Sequence, residues 1–479
     1  MLTLNLYNTL TRKTEPVIPY QKEKIGLYAC GVTVYDYAHI GHLRKYTMDD
    51  ILVRVLRRFG YAVTFVQNVT DVGHLASDAD SGEDKLEKGA KKYNKSVWDV
   101  AQEFEAYFFR SMDLMGNLRP DVSCRATEHI EAQLNMVIAL EKKGFTYVVE
   151  HDGVYFDTSK FPEYGAMARL DVAAQQEGAR IEKLVGKRNP SDFALWKFER
   201  PGENRAMVWP SPWHQRSFPG WHIECSAMAM QYLGEQFEIH TGGIDHIPVH
   251  HTNEIAQAEA ATGKKPFVKY WVHHNFVRIN GEKMSKSLGN FFTIDDLLDK
   301  GFSPQALRLL FLTSHYRSEL NFTWENLAGA QKSYDRLVGM LRNCKSEQDR
   351  TVLSAEKLKK IDTYREQFLQ ALAADIDTPI AVALIWEVAK SNIPGGDKYD
   401  LLLEFDAVLA LGLREAASKP ASEQPAPKIP AAIQTLLDKR AAARASKDWA
   451  QSDALREEIK SLGFIVIDST ETVQTVTSI

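Results

Sequence analysis

The chain has 479 residues, 44% hydrophobic and 25% charged, enough for roughly two to four domains that each bury a core of their own. A net charge of −5 excludes attraction of the whole molecule to nucleic acid, so any RNA contact must rest on local basic patches. No run approaches the roughly 18 uninterrupted apolar residues of a membrane helix, Cys30, Cys124, Cys225 and Cys344 lie far apart, and Met1-Leu2-Thr3-Leu4 is no charged-then-apolar leader, so a reducing cytoplasm is expected.

In chain order, Ile25–Val32 reads as an apolar strand, Leu43–Phe59 as an amphipathic helix and Ala62–Val66 as a second strand. That alternation predicts a parallel α/β sheet through about residue 150. From about 121 to 205 the character changes. A helix around Glu128–Lys143 and an alternating strand over Gly153–Thr158 read as an insertion, after which strands at Phe237–His240 and Lys269–Phe276 resume the first pattern. One nucleotide-binding sheet split by an insertion is therefore expected. Beyond residue 300 the pattern turns helical over Pro304–Ser314, Asn326–Cys344 and Leu353–Ala374, which predicts a helical bundle. The Ala-, Ser- and Pro-rich stretch 416–427 reads as a linker. Helices at Ala432–Ala445 and Trp449–Leu462 and a strand at Phe464–Ile467 close the chain.

Two short runs carry the chemistry. His39-Ile40-Gly41-His42 lies between the first strand and the first helix. There a helix N-terminus offers unpaired N–H groups and a positive dipole end to phosphates, and Gly41 lets a nucleotide approach the backbone. Lys283-Met284-Ser285-Lys286-Ser287, bounded by Asn280-Gly281 and Gly289-Asn290, reads as a loop able to bring cations onto a triphosphate. Together the two runs suit an ATP site. His222, Cys225, His246, His250, His251 and Glu254 have zinc-compatible side chains, and His250 and Glu254, four apart, share a helical face. The residues alone leave the ligand set open.

The two runs match the signature motifs of class I aminoacyl-tRNA synthetases without a substitution. With Tyr28–Asp36, Gly220–Met228 and His250–Gln257, the chain resembles the cysteinyl-tRNA synthetases from about residue 4 to about residue 468. The resemblance implies an α/β fold: a Rossmann-like domain over 1–120 and 206–300, a connective insertion over 121–205 and a linking region over 301–330. It further implies a helical bundle over 331–415, a linker over 416–430 and a small C-terminal anticodon-binding domain over 431–479. It selects Cys30, Cys225, His250 and Glu254 as ligands of one Zn²⁺, and Gly31, Thr70 and Trp221 as the cysteine pocket. ATP, with Mg²⁺, is expected at His39, Gly41, His42, Asp245, Lys283, Ser285 and Lys286, of which His39, His42, Lys283 and Lys286 stabilise the transition state.

The implied reaction is activation of L-cysteine to cysteinyl-adenylate, then transfer to the 3′-terminal ribose of tRNA(Cys) by a cytoplasmic monomer. A carboxylate is already a nucleophile, so positioning and electrostatics should carry the first step without a general base. Cysteine and serine differ by one atom, a difference that an ordinary pocket separates by only about 1–3 kcal/mol. A soft thiolate prefers zinc far more strongly, so zinc can select the side chain. Lys439, Arg440, Arg444, Lys447 and Arg456, with Trp449, suit RNA binding. Three segments depart from the family pattern: Thr70-Asp71-Val72-Gly73-His74-Leu75 with the acidic loop through Asp84, Ile247-Pro248-Val249, and the tail Thr472–Ile479. The competing readings are a paralogue that joins cysteine to a small-molecule amine and a non-catalytic RNA-binding descendant. The intact 330–468 region weighs against the first, and the intact motif histidines and lysines against the second.

Overall fold

The computed structural model describes residues 2–74, 84–170, 186–285, 288–346, 352–419, 431–446, 448–462, 464–468 and 474–478. The chain opens with a hairpin, β1 (Asn5–Asn8) and β2 (Lys13–Pro16), and then enters the central sheet at β3 (Lys24–Thr33). Helix α1 (Ile40–Arg58) leads to β4 (Ala62–Thr70), and α2 (Lys85–Tyr93) and α3 (Val97–Leu114) lead to β5 (Val122–Arg125). Helix α4 (Ile130–Lys142) and strands β6 (Thr146–Val149), β7 (Gly153–Phe156), β8 (Phe193–Phe198) and β9 (Ser217–Pro219) follow, the strands forming a separate four-stranded antiparallel sheet. The chain then returns through α5 (Trp221–Leu233), β10 (Phe237–Gly243), α6 (His250–Thr262) and β11 (Val268–His274).

The central sheet has the order β11-β10-β3-β4-β5 and is parallel throughout. It is the expected Rossmann-like α/β sheet, interrupted in sequence by the β6–β9 sheet. Its edge strand β5 lies just inside the range 121–205 expected for the insertion, because Val66↔Val122 pairing continues the ladder. From β3 the chain winds outward to β4 and β5 on one side and later to β10 and β11 on the other. The carboxyl ends of β3 and β10 thus flank a topological switch point, where doubly wound sheets open a crevice for ligands.

Helix α1 begins earlier than the hydrophobic periodicity indicates. His39 is its N-cap, and Ile40, Gly41 and His42 form the first turn, because the His39 ring accepts from the backbone N–H groups of Gly41 and His42. Arg57 and Arg58 in the last turn complement the helix dipole. Leu43, Ile51, Leu52, Val55 and Leu56 are fully buried beneath the sheet.

The second half is helical. A small sheet of β12 (Val277–Ile279), β13 (Glu282–Lys283) and β14 (Leu320–Phe322) connects it to the central sheet, with α7 (Ile294–Asp299) and α8 (Pro304–Leu312) between its strands. Helices α9 (Trp324–Ser346), α10 (Ala355–Ala373), α11 (Thr378–Lys390), α12 (Gly395–Leu409) and α13 (Leu413–Ser418) form the bundle. Ala416–Ser418, expected as the start of the linker, are instead helical, and Ala417 is buried. The bundle and one face of the central sheet share a continuous core that reaches from Leu4 to Ala417, while the other face packs against the insertion. Arg308 on α8 crosses between the halves. Fully buried, it donates to the Leu409 carbonyl at 2.6 Å and the Asn117 amide oxygen at 2.7 Å, and pairs with Asp50 of α1. The C-terminal unit comprises α14 (Ala431–Ala445), α15 (Trp449–Ser461) and a hairpin of β15 (Phe464–Asp468) and β16 (Gln474–Ser478), with Ile433, Leu437, Ile459 and Val466 as its core. The last strand falls within the tail that had no expected structure. Among the described residues no helix is long and apolar enough to cross a membrane.

Candidate active site and metal centre

A cleft of about 590 Å³ lies at the switch point. His39, Gly41 and His42 from the start of α1, Cys30 and Gly31 from β3, and Thr70 from the end of β4 line it together with Trp221 and Cys225 of α5, Asp245, His250 and Lys283. Residues up to about 250 positions apart therefore share one cavity. Ser285 lies outside the cleft lining, its N–H bonded at 2.7 Å to Asn290, whose side chain also reaches the Lys283 carbonyl. Lys286 and Lys447 lie outside the described residues.

His39 at the N-cap and His42 in the first turn both use Nδ1 as an acceptor. His39 Nδ1 accepts from Gly41 N–H at 3.1 Å, and His42 Nδ1 accepts from His39 N–H at 3.3 Å. With both Nδ1 atoms acting as acceptors, a neutral ring carries its proton on Nε2, where it can be donated to a phosphate oxygen. Burial pushes His42 down to about 4, a trend only partly opposed by Asp245, so its ring is a neutral donor at physiological pH. The rings stack with centroids 3.7 Å apart. Side-chain space here is limited: a Cβ on Gly41 would lie 2.9 Å from the His39 ring and 3.7 Å from Met284 of the lysine-bearing hairpin. The two signature runs thus meet across the cleft. Asp245 follows β10, and a Cβ on Gly243 would collide with its carboxylate at 2.2 Å.

At the floor of the cleft Cys30, Cys225 and His250 gather as donors with Glu254, which does not itself line the cleft. Cys30 Sγ lies 3.7 Å from Cys225 Sγ and 3.3 Å from His250 Nε2, and His250 Nε2 lies 3.0 Å from Glu254 Oε1. All four residues are buried, and their ligand atoms lie within 4.8 Å of one another. Helix α6 puts His250 and Glu254 on one face, as their spacing predicts. Burial would raise the Cys30 thiol, but contact with Cys225 and the charge of His250 outweigh it and hold Cys30 well below the ordinary thiol range. His250 moves the opposite way, raised to about 10: burial lowers it, but the Cys30 and Glu254 charges prevail. Glu254 Oε1 makes no hydrogen bond despite that contact. Two anionic donors, a second sulfur and an imidazole around one point form a donor set that suits a soft, tetrahedral dication such as Zn²⁺.

A second grouping, Cys30, His240, His251 and Glu254, also brings its ligand atoms within 4.8 Å of one another, but His240 and His251 do not line the cleft. They stand behind the first set: His240 Nε2 is 3.1 Å from Glu254 Oε2, and His251 Nδ1 is 2.8 Å from His273. His222 meets His250 ring to ring at 3.0 Å, while His246 lines the cleft from the turn before α6. Sequence reading did not identify Lys45, Asn68, Lys85 and His274, which also line the cleft. Lys85 Nζ sits 5.2 Å from the centre of the Trp221 ring. Their one signal is proximity to signature residues, which does not separate a cleft residue from a core one.

The departing segment after Thr70 is anchored at both ends. His74 Nε2 meets the buried Glu224 at 2.6 Å, one residue from Cys225, and Arg205 bridges the Gly73 carbonyl and Asp84. Asp71 accepts from Thr127 N–H at 2.9 Å and Thr127 Oγ1 at 2.5 Å, yet burial outweighs these bonds and raises it to about 6. A carboxyl raised above its unfolded value of 3.8 stabilises the fold fully below that value and loses the contribution as pH rises through about 6. The loss is on the order of 3 kcal/mol. Asp71→Asn should therefore flatten stability between about pH 4 and 7 relative to the parent. Urea midpoints across that range test this, and equal slopes for both proteins would refute the assignment.

Residues 16–332 match the family described as "tRNA synthetases class I (C) catalytic domain", and residues 426–476 match the "Cysteinyl-tRNA ligase anticodon binding domain". The chain is 44% identical to cysteine–tRNA ligase 1 of Burkholderia lata over 98% of its own length and 96% of that protein. It is 42% identical to the cysteine–tRNA ligase of Treponema denticola and 41% identical to that of Chlorobaculum tepidum, each over 98% of both chains. In fold it resembles a Mycobacterium tuberculosis methionyl-tRNA synthetase in complex with methionyl-adenylate, with a TM-score of 0.56 at 15% identity over 82% of this chain and 91% of that one.

Proposed function

The chain belongs to the cysteine–tRNA ligase family, and from that membership we propose that its cleft activates L-cysteine with ATP and transfers it to tRNA(Cys). The observation that carries this reading is the opening of the Cys30, Cys225 and His250 donors onto the cleft that also contains His39, His42 and Lys283. An amino acid whose side chain lies at the cluster would direct its carboxylate towards the nucleotide end.

Cys30, Cys225, His250 and Glu254 would hold Zn²⁺. When bound, the ion supplies a soft Lewis acid that favours a substrate thiolate over a serine hydroxyl. Gly31, Thr70 and Trp221 shape the pocket beside it. Attack of the cysteine carboxylate on the α-phosphorus forms a C–O–P linkage, breaks the bond to the β-phosphate and releases pyrophosphate. His39 and His42 donate from Nε2 to oxygens that gain charge, and the Lys283 and Lys286 ammonium groups neutralise the departing pyrophosphate with Mg²⁺. Gly41 leaves room for the nucleotide, while Asp245 and Ser285 orient it. A terminal ribose hydroxyl of tRNA then attacks the acyl carbon, and AMP leaves.

The C-terminal unit would supply anticodon contacts through Lys439, Arg444 and Arg456, with the exposed Trp449, beside Arg444, able to stack on a base. Arg440, grouped with them by sequence, is instead almost fully buried. All four cysteines are free and buried, in keeping with a reducing, cytoplasmic setting.

ATP-dependent charging of a tRNA pool with cysteine, with serine as control and pyrophosphate exchange in parallel, tests the reading. Cysteine-specific charging is expected. Exchange without charging of matched tRNA would instead favour ligation to a small-molecule amine.

A further inference from the structure

Strands β3 and β4 pair regularly to Ala29↔Gln67 and resume at Val32↔Val69, so Cys30 and Gly31 together oppose Asn68 alone. This is a β-bulge, which re-aims a side chain at the cost of backbone pairing. Approach at the bulge is so close that a Cβ on Gly31 would lie 1.6 Å from the Asn68 carbonyl oxygen. The backbone groups leaving the ladder need other partners. Gly31 N–H donates to Asn68 Oδ1 at 2.7 Å. The Cys30 carbonyl accepts from Lys45 Nζ at 2.7 Å and from the Tyr46 hydroxyl at 3.2 Å.

Lys45 is itself fixed from behind. Its ammonium pairs at 2.8 Å with Asp49 Oδ2, one helical turn later, and Asp49 Oδ1 lies 2.8 Å from His274 Nε2. Asp49 and His274 are both buried. Against the effect of burial, the neighbouring Lys45 and His274 hold the Asp49 carboxyl down at about 2, so it remains anionic beneath the ammonium.

We propose that Lys45 and Asp49 are positioning residues for the metal ligand Cys30: the ammonium, held by Asp49, clamps the bulge carbonyl and keeps the sulfur turned towards Cys225 and His250. This rests on the zinc assignment made above. The clamp reaches the metal only through the backbone of its ligand, so its removal acts on metal retention and on thiol binding before it acts on ATP. A direct contact of Lys45 with substrate would have a different signature, changing steady-state constants while leaving metal release unaltered.

The test measures zinc content of the full-length protein and the rate of zinc release to a chromogenic chelator, alongside KM for cysteine and for ATP in pyrophosphate exchange. Lys45→Met keeps the side-chain stem, and loss of an outer-shell partner should accelerate release by about 10-fold or more. KM for cysteine should rise more than KM for ATP, and Lys45→Arg should recover part of both effects. Because Lys45→Met leaves Asp49 buried without its partner, the double variant Lys45→Met with Asp49→Asn removes that charge and guards against misfolding. It should still release zinc faster than the parent. Release at the parental rate from both variants overturns the clamp and leaves the zinc reading intact. A parent protein that holds no zinc overturns both.

Discussion

Cys225→Ser is expected to strip the protein of zinc and to reduce kcat/KM for cysteine in pyrophosphate exchange by about 10³-fold or more, because selection at a purpose-built donor site is worth far more than selection by size. Cys225 contributes one of two sulfurs 3.7 Å apart, and Cys30 Sγ pairs with it. A hydroxyl at this position is a harder and less acidic donor than a thiol, and so a poor ligand for a soft dication. Cys225 lies in the core between the sheet and the insertion, and serine is nearly isosteric with cysteine, so the fold should be retained. Metal analysis of the purified protein, read with the exchange assay for cysteine and serine, decides the matter. Normal cysteine selectivity with one zinc missing would remove the metal from the selection mechanism.

His42→Ala should reduce kcat for adenylate formation by about 10²–10³-fold, the usual effect of deleting one preorganised donor to a developing oxyanion. KM for ATP should change much less, because His42 is assigned to charge that appears during the reaction rather than to the ground state. His42→Asn retains a short amide donor and should recover part of the rate. Since burial holds His42 at about 4, no inflection from its ionisation should appear above about pH 5 in the profile of the parent. Single-turnover measurement of pyrophosphate formation reads the step directly. An unchanged rate in the alanine variant would show that the ring shapes the helix start without touching the reacting phosphate.

Much of this site was legible before any coordinates because its chemistry rests on short contiguous runs. A capped helix start between a strand and a helix is a local event, and the His250–Glu254 spacing fixes a shared face once a helix is assumed. The ligand set needed more, since His240 and His251 are as zinc-compatible as His250 by residue type. Only their place behind the cleft wall separates them. The bulge at Cys30-Gly31 was not legible because it is a property of register between β3 and β4, and Lys45 gains its partner only through that register. The misread start of the linker has a different cause. The Ala-, Ser- and Pro-rich composition suggests a linker, but alanine is the strongest helix former, and the Ala416 carbonyl accepts from the Arg342 guanidinium at 2.9 Å. Composition warned of a weak core there; it did not forbid a helix.

The junction at Arg308 places a demand on synthesis. Asp50 has the Arg54 guanidinium four residues on as an early partner, but its second, Arg308, follows only after 258 residues of translation. At about 5–20 residues per second that interval is on the order of 10–50 s. The last acceptor, the Leu409 carbonyl, emerges a further 101 residues along. Breaking a buried ion pair from one side costs about 3–5 kcal/mol, a large part of the net stability of a domain. Arg308 can therefore be sealed only once the α/β half that carries Asp50 and Asn117 and the bundle that carries Leu409 have both been made. For this chain the nucleotide-binding half is the first to be made, while its Arg308 junction with the bundle closes only after Leu409 has emerged.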